Sequence, residues 1–302
     1  MATYVNRVQS QESAASVTEA QLPFKQIIWF GGLLIACYAP VLYYLVRQWA
    51  TDEDMGHGFF APLIAGYIIW QNRAELIRMK PEPSNWGLLI ILWGATQLML
   101  GTLGAEIFLA RTSFLVALVG VILYLCGWKI LKALAFPLCL LLFMFPLPAI
   151  IYARITLPLQ IFATRVAEVI LGWLGIPVLR DGNVLELASQ KLNVVEACSG
   201  IRSLLSLSFL SLTYAYFFDR KVWMRWVLLI ATIPIAIAAN AIRVTLTGVL
   251  SEIRTDLAQG FFHTLEGWVL FLVALSLLVA FHQLVNRVYL YFRRKQEQPA
   301  SV

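Results

Sequence analysis

The chain has 302 residues, 60% of them hydrophobic and only 13% charged, with a formal net charge of +6. An ordinary water-soluble domain carries about 25% charged residues, so these proportions exclude one. They leave an integral membrane protein that crosses the bilayer several times, with lipid as the solvent for most side chains.

The first stretch, 1–26, is rich in Gln, Ser and Glu and poor in large apolar residues, which predicts a flexible cytoplasmic tail unable to bury enough surface to order itself. No apolar stretch followed by small residues precedes Ile27, so no cleavable secretory signal is expected and the first apolar run should remain as an anchor. A hydrocarbon core of about 30 Å calls for about 20 helical residues. Runs near that length fall at 27–46, 57–71, 86–103, 112–127, 133–149, 201–218, 226–250 and 263–284, which predicts about eight transmembrane helices in an all-α polytopic fold.

The stretch 151–174 carries Arg154, Gln160, Arg165 and Glu168 among its apolar residues. Its Ile151, Ile155, Leu159, Phe162, Val166 and Ile170 recur at three- and four-residue steps, the pattern of an amphipathic helix in the interface plane. An interfacial or re-entrant helix is expected there. This choice also places the clusters Arg73, Arg78 and Lys80, Lys129 and Lys132, Arg220, Lys221 and Arg225, and Arg287, Arg293, Arg294 and Lys295 inside, as the positive-inside rule requires. The membrane domain then covers 27–286, and 287–302 forms a basic cytoplasmic tail. Between 148 and 198 lies the largest external segment. Gly175, Pro177, Gly182 and Asn183 are turn formers there, with short β-like runs at 184–187 and 191–195, so a small external hairpin is expected.

Three cysteines, Cys37, Cys126 and Cys139, sit in apolar runs without partners at metal-ligand spacing and read as small buried hydrophobes. Cys198 differs. It lies in Glu196-Ala197-Cys198-Ser199-Gly200-Ile201-Arg202, which leads directly into a span, so its thiol would meet the positive end of a helix dipole, which favours the nucleophilic thiolate. Arg202 stands one turn further on the same face. A second feature is Arg243 within Asn240-Ala241-Ile242-Arg243-Val244, since an intramembrane arginine is expensive and normally faces a polar cavity. If residue 250 marks the outer end of its helix, Arg243 lies about 10 Å inward at about 1.5 Å per residue. Asn240, one turn away, extends a polar lining.

His263 opens the last span and can exchange a proton near neutral pH; Glu266, three residues on, could orient it. The topology puts Cys198, Arg243 and His263 on one side of the membrane. His57, in Asp52-Glu53-Asp54-Met55-Gly56-His57-Gly58, sits at the same edge and could contribute to the pocket, although a structural role at a helix start has more weight; the acids beside it read as a solvated loop. His282 is placed near the inner end of the final span and is given no chemistry.

The stretches 196–204, 240–244 and Phe262-His263-Thr264 with Gly267-Trp268, occurring in that order, resemble the exosortase and archaeosortase family. Gly56-His57-Gly58 and Gly182-Asn183-Val184 add to the similarity, which covers nearly the whole chain after the tail and is strongest from Gly175 to Trp268. The resemblance implies a membrane cysteine transpeptidase of the bacterial inner membrane with its site facing the periplasm or exterior. Its partners would be protein substrates bearing a C-terminal sorting signal, made of a Pro-Glu-Pro type motif, an apolar helix and a basic end, together with membrane lipid. By the motif match Cys198 takes the nucleophile role, Arg243 the arginine role and His263 the histidine role. No metal, cofactor or nucleic acid is expected, nor a fused accessory domain beyond Arg294. Arg202 could bind a substrate carboxylate or make a structural contact at its helix start. Two other classes fit the residues less fully: a non-enzymatic exopolysaccharide export or assembly component, and a membrane acyltransferase working through His263.

Overall fold

The computed structural model describes residues 22–193, 201–254 and 260–297, apart from the side chains of 53, 260–264, 266 and 295–297. In chain order the helices are α1 (Phe24–Cys37), α2 (Ala39–Thr51), a 3₁₀ segment (Glu53–Phe59), α3 (Phe60–Gln71), α4 (Arg73–Arg78), α5 (Trp86–Leu103), α6 (Ile107–Ala133) and α7 (Ala135–Leu140), followed by a 3₁₀ turn at Leu141–Met144. Then come α8 (Ala149–Trp173), the strands β1 (Val178–Asp181), β2 (Val184–Leu187) and β3 (Lys191–Asn193), and the helices α9 (Ile201–Phe218), α10 (Val222–Ile253) and α11 (Gly260–Glu297). Large apolar side chains are exposed along most helices, Trp29, Leu92, Trp93, Ile230 and Leu272 among them, as lipid requires. The all-α polytopic membrane fold is as expected.

Among the described residues six helices are long and apolar enough to cross a membrane, or seven if the bent pair α1 and α2 forms one span. The expected eight are not reached. The run at 57–71 resolves into the 3₁₀ segment and the 12-residue α3, and that at 133–149 into α7 and its 3₁₀ turn, all short of a bilayer's thickness. The run at 27–46 bends by 70° between α1 and α2. Pro40 explains the break, because its ring excludes the carbonyl four residues back and its nitrogen cannot donate.

The chain divides into two compact units. The first comprises the described residues up to Thr51 with Gly58–Phe145, and its main feature is the close pair α5 and α6. Gly87, Gly94 and Gly101 recur every seven residues along α5 and are all buried. A Cβ at Gly94 would stand 3.1 Å from the Ala117 nitrogen and one at Gly101 2.5 Å from that of Ala110, so the backbones meet where only hydrogen fits. Buried Arg111 of α6 donates to Gln48 of α2, and Trp49 Nε1 donates to the Met144 carbonyl at 2.9 Å.

The second unit comprises Asp52–His57 and the described residues from Pro146 on. Its α8, where an interfacial or re-entrant helix was expected, is long and apolar enough to cross a membrane. Ile151, Ile155 and Phe162 of the apolar stripe are exposed, as are Arg154 and Arg165, while Val166 packs against the core and Thr156, Gln160, Ala163, Thr164, Ala167 and Leu171 are buried. An apolar-out, polar-in pattern has the same period as an interfacial one, and only the partner of the polar face distinguishes them. Here that partner is protein: Asn183 Nδ2 donates to Gln160 Oε1 at 3.3 Å, Thr164 Oγ1 to the Gly182 carbonyl at 3.2 Å, and Arg180 Nε to Glu168 Oε2 at 2.7 Å.

Those contacts come from a three-stranded antiparallel sheet in the order β1-β2-β3, one strand more than the expected hairpin. Asp181 pairs with Val184, leaving Gly182 and Asn183 as a two-residue loop. Gly182 alone takes positive φ, at 61°, as the first position of a type II′ turn does. Leu185, Leu187 and Leu192 of the sheet bury against Ala167 and Leu171 of α8 and Ala241 and Val244 of α10, which packs the Arg243 stretch against the sheet. Beyond residue 286 α11 continues as helix through Arg287, Arg293 and Arg294.

Candidate functional site

Asn240 and Arg243 lie three residues apart on α10 and therefore share a face. Together with Ser203 and Leu207 of α9 and Gly267 and Phe271 of α11 they line a cavity of about 10 Å³, close to the least volume that holds one water molecule. Asn240 is 5% exposed, and its Nδ2 has no hydrogen-bond partner among the described residues. A buried amide donor left in this state costs about 1–3 kcal/mol, so it marks a place where polarity is retained against stability. The guanidinium of Arg243 rests on the α11 backbone: a Cβ at Gly267 would stand 3.2 Å from Nη2 and 3.4 Å from Cζ. With glycine at 267 the cation keeps this place, whereas any Cβ there would make it shift by a few tenths of an ångström.

Cys198 lies outside the described residues. It precedes by three positions the first residue of α9, Ile201, which is fully buried. Position 263 falls on the α11 backbone, one helical turn before Gly267, and its side chain, like that of Glu266, is outside the description. The structure thus joins the N-terminal parts of α9 and α11 with the middle of α10 around Arg243, and the sequence attaches the thiol to the lead-in of the first and the imidazole to the start of the third.

Arg202 is placed by a contact that sequence reading missed. Its Nε donates to Asp54 Oδ1 at 2.8 Å, while Tyr152 Oη of α8 donates to Asp54 Oδ2 at 2.7 Å. His57, 9% exposed, stands beside α9, with Nδ1 3.5 Å from Ser206 Oγ and its ring centroid 6.3 Å from that of Phe209. Asp54 therefore corrects the reading of residues 52–54 as a solvated loop. No local signal announces this, since its partners stand 98 and 148 residues away.

His282 belongs to a different cluster, near the turn between α9 and α10. Its Nε2 lies 3.1 Å from Asp219 Oδ2 and its Nδ1 3.0 Å from Tyr214 Oη, while the Lys221 backbone N–H donates to Asp219 Oδ1 at 2.8 Å. Burial pushes the Asp219 carboxyl up, but the Lys221 N–H, His282 and the Lys221 ammonium outweigh it and hold the group below its ordinary range. Tyr214 stands eleven residues along α9 from Ser203, about 16 Å at 1.5 Å per residue, so this cluster and the cavity are separate.

A family model described as a transmembrane exosortase matches residues 49–280 of the chain. No curated protein and no solved structure matches it.

Proposed function

Because the chain belongs to the transmembrane exosortase family, we propose that it is a membrane-embedded cysteine transpeptidase that cleaves C-terminal sorting signals of exported proteins at the outer face of the inner membrane. The observation that carries this reading is the pair of buried Asn240 and half-buried Arg243 on α10, which lines a cavity with α9 and α11, the helices that in sequence follow Cys198 and begin beside His263. A substrate whose apolar tail helix enters the bilayer presents its scissile peptide at the interface. The Cys198 thiolate attacks that carbonyl carbon, a C–S bond forms, and the tetrahedral oxyanion develops. Arg243 stabilises the thiolate and then the oxyanion, in a setting where low dielectric makes a fixed charge count for more than in water. The C–N bond breaks as His263 gives a proton to the leaving amine. His263 next removes a proton from the acceptor, water or an amine, which attacks the thioester and releases the thiol.

The test is mass spectrometry of a reporter protein ending in a Pro-Glu-Pro motif, an apolar helix and a basic end, co-expressed with this chain in full length. Cys198→Ala, Arg243→Gln and His263→Ala should each abolish the cut and any new group at the reporter's C-terminus. Processing that persists in Cys198→Ala would sink the thiol mechanism and favour a non-enzymatic export component; loss in His263→Ala alone would point to acyl transfer through histidine.

A further inference from the structure

Of the 3₁₀ segment at 53–59, the residues up to His57 belong to the second unit, and Asp54 and His57 each make a polar contact with α9. In a 3₁₀ helix residues three apart eclipse, so Asp54 and His57 present one face. Along α9, Arg202, Ser206 and Phe209 likewise fall in one stripe, at steps of four and three. Asp54 meets the first of these and His57 the other two, so the segment seats on α9 as a two-point clasp. The cavity face of the same helix begins at Ser203, one residue or about 100° of rotation from Arg202. A clasp at 202 and 206 thus sets the rotation of α9, and with it which side chain faces Arg243 and Asn240.

We propose that Asp54 is a positioning residue for the reaction: by accepting from Arg202 and from Tyr152 of α8 it fixes the rotation of α9 and so which of its side chains face Arg243 and Asn240. Arg202 is then committed to Asp54 and serves as the handle of α9, not as a receptor for a substrate carboxylate. The inference rests on the transpeptidase reading for its consequence in turnover, although the coupling of Asp54 to α9 stands apart from it. Two contacts in series, from α8 to Asp54 and from Asp54 to α9, also explain why a carboxylate is required at 54, because each of its oxygens accepts one bond.

The test uses the full-length chain in proteoliposomes with the sorting-signal reporter. It measures kcat and KM together with the rate at which iodoacetamide alkylates Cys198, read at peptide level by mass spectrometry. Since about 1 Å of misplacement costs roughly 100-fold, Asp54→Ala and Arg202→Ala should each lower kcat about tenfold or more while KM changes less than about threefold. The double variant should be no worse than either single one, and the reversed pair Asp54→Arg with Arg202→Asp should recover part of kcat and return the alkylation rate toward that of the parent. If Asp54→Ala does not fold, Asp54→Asn and Tyr152→Phe carry the same comparison with graded losses. Parental kcat and alkylation in the Asp54 variants, or additive losses with no recovery in the reversed pair, would overturn the proposal. A parent chain that leaves the reporter uncut refutes the transpeptidase reading alone, and alkylation across the same variants then still decides whether Asp54 orients α9.

Discussion

Gly267 separates the stability of this protein from its activity. A methyl group there would stand 3.2 Å from Arg243 Nη2 and 3.4 Å from Cζ, short of the usual contact range of about 3.5–4.0 Å. The obstacle is the tip of a long side chain, not backbone, so the guanidinium yields by a few tenths of an ångström and the helices stay in place. Replacing a helix-interior glycine by alanine meanwhile stabilises by about 1 kcal/mol. Gly267→Ala should therefore unfold in detergent at the parental temperature or slightly above. Reporter processing should fall about three- to fivefold, taking a loss of roughly 100-fold per ångström of misplacement. Gly267→Leu cannot be accommodated in a cavity of about 10 Å³ and should displace the cation outright, with about a 100-fold loss. Thermal unfolding and turnover measured on the same preparations decide the matter. If Gly267→Leu turns over at the parental rate, or if Gly267→Ala loses stability in step with activity, then the placement of Arg243 is not what glycine at 267 protects.

Three further outcomes are expected. Gly101→Ala brings a Cβ to 2.5 Å from the Ala110 nitrogen, where backbone meets backbone, and should cost about 1–3 kcal/mol; Gly66→Ala, inside α3 with nothing within 4 Å, is the control and should unfold at the parental temperature or slightly above. The carboxylate of Asp219 is held below its ordinary value of 3.8, so its stabilisation is complete above that pH and is lost as pH falls through the lowered value. Unfolding temperatures followed from pH 6 to about pH 3 should therefore drop more steeply in the parent than in Asp219→Asn, which is less stable by about 1–3 kcal/mol at pH 6, the gap narrowing toward pH 3; parallel curves would contradict this. In the first unit, Gln48→Leu removes an acceptor from the buried guanidinium of Arg111 and should destabilise by about 1–3 kcal/mol, more than Arg111→Leu, which takes the charge away with its need for a partner. Equal losses in the two variants, measured by chemical unfolding, would show that the pair is not coupled.

The sequence by itself determined what depends on composition and on neighbours along the chain. A 60% apolar chain could only be a membrane protein, and 86–103 and 201–218 were legible to the residue because a mainly apolar run of that length has one low-energy conformation in lipid. Asn240 and Arg243 stood out because polar groups in such a run are costly wherever the helix goes. The motifs around 198, 243 and 263 pointed to a family, and the family match over 49–280 agrees with them.

Tertiary structure decided everything that depends on a distant partner. The polar stripe of α8 has one period whether it faces headgroups or a sheet, so only the sheet's arrival at Gln160, Thr164 and Glu168 distinguishes a candidate span from an interfacial helix. Asp54 looks like any acid in a loop until Arg202 and Tyr152 reach it from 148 and 98 residues away. Gly267 is in the sequence only part of a motif, and its physical role is visible once a guanidinium settles against it. The cost of burying charge can be read from a residue's own neighbours, whereas the group that compensates it is chosen by packing, and packing is non-local.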